Sequence, residues 1–472
     1  MMKSNVTMKK LLTSLGLAAM ILVMPVAKVN ASNEVTINAK HFPDKTFRTY
    51  VSQNFDTDQN EKLSREEISN AKSISLSWCD VKNLKGIEYL TKLEYIECSG
   101  NKLTKLDVSK LKKLKFLICG YNQLTKLDVS KNTELIELSC SGNKLTQLNV
   151  SKNTKLEILG CSGNKLTKLD LSKNKKLRCL EYCDMKLTNL DLSKNTNLES
   201  LMFTNTKLTK LDVSKFKKLK YLECNENELT KLDVSKNTKL EYLSCYNNQL
   251  TSLDLSKNTK LKNLNCDGNK LKKLDVSKNK KLEYLSFSNV PLKNIDLSKN
   301  IYLKNLSCSN NQLIKLDLSK NTKLTDLRCD DSRMTKLDLS KNTKLINLFC
   351  KNNQLTNLDL SKNIVLKNVY CSNNQLTSID ISNSTYLENL DCSSNQLTDL
   401  NVSKNIKLEK LYCSNNQLTE LNVNKNKKLT ELQCDNNQLT SLDVSNNTNL
   451  IHFFSGDGVE VIGYDPYSKY ND

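Results

Sequence analysis

One 21-residue phrase leaves this chain little choice of fold. Residues 219–239 read LKYLECNENELTKLDVSKNTK, and the general form LxxLxCxxNxLTxL[DN][VL]SKNTx recurs in 17 consecutive registers, its cysteine position falling at 98 and every 21 residues on to 434. A period of this kind means a solenoid. No single unit can bury its own apolar face, so each must stack on its neighbours and the core runs continuously down the stack.

The chemistry inside one unit predicts how it stacks. Leu222-Glu223-Cys224 alternates apolar and polar residues with the period of a strand that buries one face, and Leu232-Asp233-Val234 does the same ten residues later. Each half runs on to an asparagine, Asn227 and Asn237, so the unit has two arms of ten and eleven residues. The expected architecture is a right-handed, mostly β superhelix. Parallel strands form its main face, and shorter extended segments lie opposite. The first asparagine is present in 13 of the 17 registers and the second in 14, too constant for a binding determinant that must vary along a surface. Stacked turns aim backbone N–H and C=O groups inward, and an asparagine side chain can answer both kinds.

Fourteen of the 17 cysteines occupy the core position of the repeat, and the three registers without one carry Tyr182, Phe203 and Phe287. Apolar replacements mean that the site wants volume, so these thiols read as small buried hydrophobes. Disulfides do not suit the ladder. In-register parallel strands hold neighbouring cysteines ~4.8 Å apart with parallel Cβ vectors, whereas a disulfide needs Cβ atoms ~3.8 Å apart. A linear ladder also cannot supply a tetrahedral ligand set. Cys79, Cys179 and Cys183 lie outside the ladder, the last two at polar-facing positions suited to free thiols. In the three irregular registers the turn asparagine is lost as well, giving Met185, Thr206 and Val290, with Pro291 after the last. Core and turn depart together, which predicts a rebuilt turn and a weak seam near residues 177–208.

Before the repeats the chemistry changes. Lys3, Lys9 and Lys10 precede an apolar run from Leu11 to Val26, and Val29-Asn30-Ala31 offers compact residues at cleavage positions. That is the pattern of a secretory signal peptide over residues 1–31, and it predicts a secreted or loosely surface-associated protein with no membrane span. Residues 32–74 are expected to form a helical cap. Phe42, Phe47, Tyr50, Val51 and Phe55 recur at helical intervals, and a second short helix is expected from Ser64 to Ala71. Between the helices the spacing matches a calcium loop: side-chain oxygens from Asp56, Asp58 and Asn60, the backbone carbonyl of Lys62, a water-mediated contact from Ser64, and a bidentate carboxylate from Glu67. Glu61 stands where such a loop normally has glycine. Two readings remain open here, a single Ca2+ site and a helix-loop-helix cap whose acids serve the second helix. Either covers the end of the stack, as a terminal cap must. Repeats then run over 75–449, and residues 450–472 read as a closing β-hairpin with a short tail.

The LTxLDLSKNTxLxxLxCSxNQ unit, the acidic EF-hand-like block and the transitional stretch Leu84-Lys85-Gly86-Ile87-Glu88-Tyr89-Leu90 together resemble the secreted leucine-rich-repeat proteins of Gram-positive bacteria, a group similar in outline to the internalins. The resemblance covers nearly all of the chain after residue 31. It implies a leucine-rich-repeat solenoid exported to the surface or medium and acting in protein or glycan recognition, with no catalytic residues carried over.

Function is expected on the outward strand positions, which vary while the core is held constant. One position before the cysteine site come Phe349, Tyr370 and Tyr412, and three before it come Tyr221, Tyr242 and Tyr284. Rings with a polar edge suit a protein or glycan ligand, and rings on adjacent strands also stack on one another to stabilise a sheet. On the other side, lysine follows the LDVS element in 15 of 17 registers, from Lys110 to Lys425. The formal net charge is +20, or +16 without the four lysines of residues 1–31, an excess that suits anionic cell-wall polymers. A structural envelope protein is therefore the alternative function. Nucleic acid has no matching motif. The two histidines, His41 and His452, fall at opposite ends, so no Ser-His-Asp or Cys-His pairing forms and an enzyme is not expected. The chain is expected to act as a monomer.

Overall fold

Leucine at every third or fourth position and cysteine at the centre of each coil force the chain into the expected solenoid. The computed structural model describes residues 34–185 and 190–464. The leader expected at 1–31 and the tail from 465 lie outside the described residues. Each coil contributes a three-residue strand such as Tyr221–Glu223, whose middle residue Leu222 is buried. Successive strands pair in parallel with a fixed offset of one repeat, so that Tyr221 faces Tyr242 and Leu222 faces Leu243. The ladder begins at Ser73–Ser75, one coil before the first full register, and ends at His452–Phe454, one coil after the last. Leucines and the ladder cysteines form a single apolar column from cap to cap.

The opposite side is less extended than its alternating pattern predicts. There the chain makes tight turns: the Asn258 N–H donates to the Leu255 carbonyl at 3.0 Å and the Leu261 N–H to the Asn258 carbonyl at 3.1 Å. The aspartate of LDVS reinforces them, the Asp254 carboxylate accepting from the Ser256 N–H at 2.9 Å. Strand-like bridges on this side are confined, among the described residues, to Asp212 with Asp233, Asp359 with Asp380, and the final strand Ser441–Asp443. The turns win because every coil offers a local acceptor to the very N–H groups a second sheet would use.

The N-terminal cap has the two expected helices, Lys45–Phe55 and Arg65–Asn70. Asp44 caps the first through the Phe47 N–H at 3.0 Å, and its other oxygen accepts from the Lys82 N–H at 2.7 Å, tying cap to solenoid. Phe42, Phe47 and Val51 are buried against the first coil. At the other end the expected hairpin is not formed. His452–Phe454 adds in parallel to Glu431–Gln433, and Glu460–Ile462 adds in parallel to Ser441–Asp443. The intervening segment crosses the stack as another coil would, because both strands find unpaired edges of the last coil to extend and need not pair with each other.

Candidate binding surface

On each three-residue strand the first and third side chains face outward, and stacking places like positions in columns. The six predicted ring sites are thereby brought into two stacked pairs, each with one spaced neighbour. Tyr221 and Tyr242 stack with ring centroids 4.2 Å apart and planes 7° from parallel. Tyr284 stands two strands beyond Tyr242 with Asn263 between them. In the other column Phe349 and Tyr370 stack at 4.9 Å and 7°, and Tyr412 stands two strands beyond with Asp391 between. All six rings are half-buried. Burial raises the Tyr221 and Tyr412 hydroxyls well above the ordinary phenol value, helped by hydrogen bonds to Glu223 at 2.8 Å and to Glu431.

Charges that the sequence did not flag complete the second cluster. The Arg328 guanidinium lies 3.9 Å from the Phe349 ring centroid, and Lys351 lies 4.9 Å from that of Tyr370. Lys351 also reaches across two coils to Asp391, with an N–O distance of 2.6 Å. Guanidinium, two rings, ammonium and carboxylate thus form one line down the face. Further up, Glu137, Glu181 and Asp267 share the outward side, and burial raises each carboxyl above its usual value. Beside the second cluster, on the same strands, an amide ladder runs Asn347, Asn368, Asn389, with Asn368 donating to Asn347 and Asn389 to Asn368 at 2.6 Å each. The strand side therefore carries more carboxylate than cation, although the chain as a whole has a net charge of +20.

The lysine line lies on the turn side, exposed, beside aspartates whose pKa the serine N–H groups lower, as at Asp254. It is a solvated column of separate cations. Beside the strands a different column alternates in sign: Arg178 bridges Glu157 at 3.2 Å and Glu199 at 3.0 Å, and Lys220 meets Glu199 at 2.8 Å. Exposed pairs of this kind contribute little stability but keep adjacent coils in register.

In the cap, Asp56, Asp58 and Glu67 bring ligand atoms within 4.8 Å of one another. Asp56 and Glu67 are buried while Asp58 is exposed. The Asp56 carboxylate accepts from the N–H groups of Asn60 and Glu61 at 3.1 and 3.0 Å, which wraps the loop around it. Asn60 accepts the Lys62 N–H at 2.8 Å, and Ser64 caps the second helix together with Glu67. Burial works to raise the Glu67 pKa, but hydrogen bonds from Ser64 and Thr57 outweigh it and the net shift is downward. Glu61 adopts φ 61°, the left-handed conformation that a glycine would supply. Lys62–Leu63 pairs antiparallel with Val35–Thr36, so the loop has a strand partner even without a second such loop among the described residues. An all-oxygen set on such a loop fits a hard divalent cation.

Exposed rings that the sequence reading passed over lie at the strand-to-turn corner, where Trp78 and Tyr121 stack. Their signal was the interruption of an Asn, Asp and Gly column by two aromatic residues.

No protein-family model matches the chain, and no curated protein does. Among solved structures, the functional domain of InlJ from Listeria monocytogenes, described as including a cysteine ladder, is 36% identical, with 81% of this chain and 80% of that one covered at a TM-score of 0.67. A leucine-rich-repeat protein of Leptospira interrogans is 24% identical over 79% and 92% of the two chains with a TM-score of 0.60, and YopM from Yersinia enterocolitica is 22% identical over 88% and 94% with a TM-score of 0.58. The last two share the fold, and the InlJ domain, by its description, has a cysteine ladder as well. With its parallel-strand solenoid, its ladder of buried cysteines and this level of identity to InlJ, the chain belongs to the internalin-like leucine-rich-repeat proteins.

Proposed function

We propose that the chain is a non-catalytic recognition protein, exported after removal of residues 1–31, that holds a protein partner on its strand face. The observation that carries this reading is the contrast between a core repeated coil after coil and an outward face whose rings, amides and charges change from strand to strand. The excess of carboxylates there favours a partner with basic groups, and the Tyr221–Tyr242 and Phe349–Tyr370 stacks offer it rigid apolar ground. No helix among the described residues is long and apolar enough to cross a membrane. In the cap, Asp56, Asp58, Asn60 and Glu67 with the Lys62 carbonyl would hold one Ca2+, Ser64 contributing through water, and the ion would stiffen the loop that joins the two cap helices.

The exposed lysine column from Lys110 to Lys425, interrupted at Asn383, favours a second reading, attachment to anionic wall polymers. Salt and mutation separate the two. Residues 32–472 are screened against surface proteins and against teichoic-acid-type polymers at rising ionic strength. Binding that persists in salt and is lost in a Phe349→Ala/Tyr370→Ala variant supports the strand face. Binding that collapses in modest salt and ignores those substitutions moves the function to the lysines.

A further inference from the structure

We propose that Trp78 and Tyr121 form a carbohydrate-stacking platform on the strand-to-turn corner of the first coils, a site separate from the strand face and independent of the reading above. Each strand ends in a corner whose second residue takes a left-handed conformation, and the described coils fill it with Asn, Asp, Gly, Ser or Glu except at two places. Those places are Trp78, at φ 59°, and Tyr121, at φ 52°. A bulky ring at positive φ costs roughly 1–2 kcal/mol, so neither residue is there for the convenience of the turn.

The coil that follows each ring is built to receive it. A Cβ on Gly100 would fall 2.2 Å from Trp78 Cδ2, and one on Gly142 would fall 2.8 Å from Tyr121 Cδ1. Each ring therefore lies flat on the glycine of the next coil. Its other face is left to solvent, with Trp78 74% and Tyr121 64% exposed. The two rings are 6.2 Å apart between centroids and 28° from parallel, which makes one shallow apolar plate. Along its edge run hydrogen-bonding side chains two residues further on: Lys102, paired with Asp80 at 2.5 Å, then Gln123, which accepts from Lys144 at 3.5 Å.

A flat π surface bordered by exposed donors and acceptors matches a pyranose chain. The axial C–H edges of a sugar meet the negative ring faces, and its equatorial hydroxyls meet the polar border. A protein partner fits less well. Two rings offer at most about 150–250 Å² each, whereas a stable protein interface takes about 800 Å² from each partner. The occupant inferred is thus an oligosaccharide of two or more residues, bound weakly per site.

Trp78 is the single tryptophan of the chain, so its emission reports on this place without a label. The protein is titrated with cellohexaose, chitohexaose and mannohexaose up to about 10 mM, the range in which shallow sugar sites saturate. At least one should shift or quench the emission in a saturable curve. Tyr121→Ala, at an exposed position, should leave circular dichroism and melting unchanged while weakening that curve about tenfold or more. The proposal is overturned if none of the three sugars changes the emission or gives heat in calorimetry. Equal affinity in Tyr121→Ala also overturns it, as does a response to an apolar peptide without any response to the sugars.

Discussion

Asn269, a first asparagine, has all its polar groups engaged: its amide donates to the carbonyls of Cys245, Cys266 and Asp267, and its oxygen accepts from the Leu250 N–H at 3.0 Å. Asn258, a second asparagine, donates to Val234 and Asn237, but its oxygen meets no donor among the described residues. The sequence pattern suggested the same double role for both; the second turn already satisfies its own N–H groups by tight bonds and leaves nothing to accept. Asn269→Ala should therefore cost about 2–4 kcal/mol by orphaning buried groups, while Asn258→Ser should cost about 1, since Ser384 already stands at that position and donates to the Asn363 carbonyl. Denaturation midpoints of the two variants check the order. The thiols make a second residue-scale test. Burial pushes the Cys98 and Cys140 thiols up to about 12, and Cys179 and Cys183, expected as the free thiols, are themselves half-buried and pushed up to about 11. Cys79 is the exposed one. A thiol reagent at neutral pH should modify Cys79 first, Cys179 and Cys183 slowly, and the fourteen ladder cysteines after unfolding; fast modification of the ladder contradicts this placement.

Among the elements, the cap and the irregular coils invite direct measurement. If the loop of the cap binds Ca2+, the ion adds about 2.7 kcal/mol to the cap at roughly a hundredfold excess over its Kd, and Asp58→Asn, which keeps the exposed position polar, should remove most of the rise in melting temperature. An unchanged rise in Asp58→Asn, or none in the parent, counts against the site. In the irregular coils the rings of Tyr182 and Phe203 stack inside the core at 5.8 Å. Thr206 gives its N–H and hydroxyl to Asn227 at 3.1 and 2.9 Å, a partial repair from the next coil. With Met185 and Thr206 in place of asparagines, the Tyr182 carbonyl has no asparagine donor from its own coil or the next. At Val290 the turn is rebuilt: the Leu292 N–H turns to the Val290 carbonyl at 2.7 Å, and the Asn311 oxygen that would have accepted it has no partner. Hydrogen exchange should thus be faster over 180–185 and 190–208 than over 224–270, residues 186–189 lying outside the described part; equal protection means that ring stacking has made good the loss.

At the scale of the whole molecule two sets of acids answer pH in opposite directions. On the strand face burial raises Glu137 and Glu181 above 4.5, so they take up protons first as pH falls, and charge on that face fades while the fold stands. On the turn side the serine N–H groups lower Asp254 and Asp296 below 3.8; the stability they add is present above the unfolded pKa and is lost as pH falls through the lowered value. Affinity for a lysine-rich peptide should therefore decline as pH drops toward 4.5, before the melting temperature falls, and a simultaneous decline of both places the peptide elsewhere than the strand face. The sequence by itself determined the solenoid, its period, the buried cysteine column and both cap helices, because each follows from local periodicity repeated often enough to exclude other folds. It also marked the outward rings as a set. Only the tertiary structure decided that the second arm turns where a strand was expected, and that the closing strands extend two faces instead of pairing with each other. The reach of Lys351 to Asp391 and the bed of glycine beneath Trp78 likewise depend on which residues from different coils come to lie side by side, a matter of stacking geometry that no single coil contains.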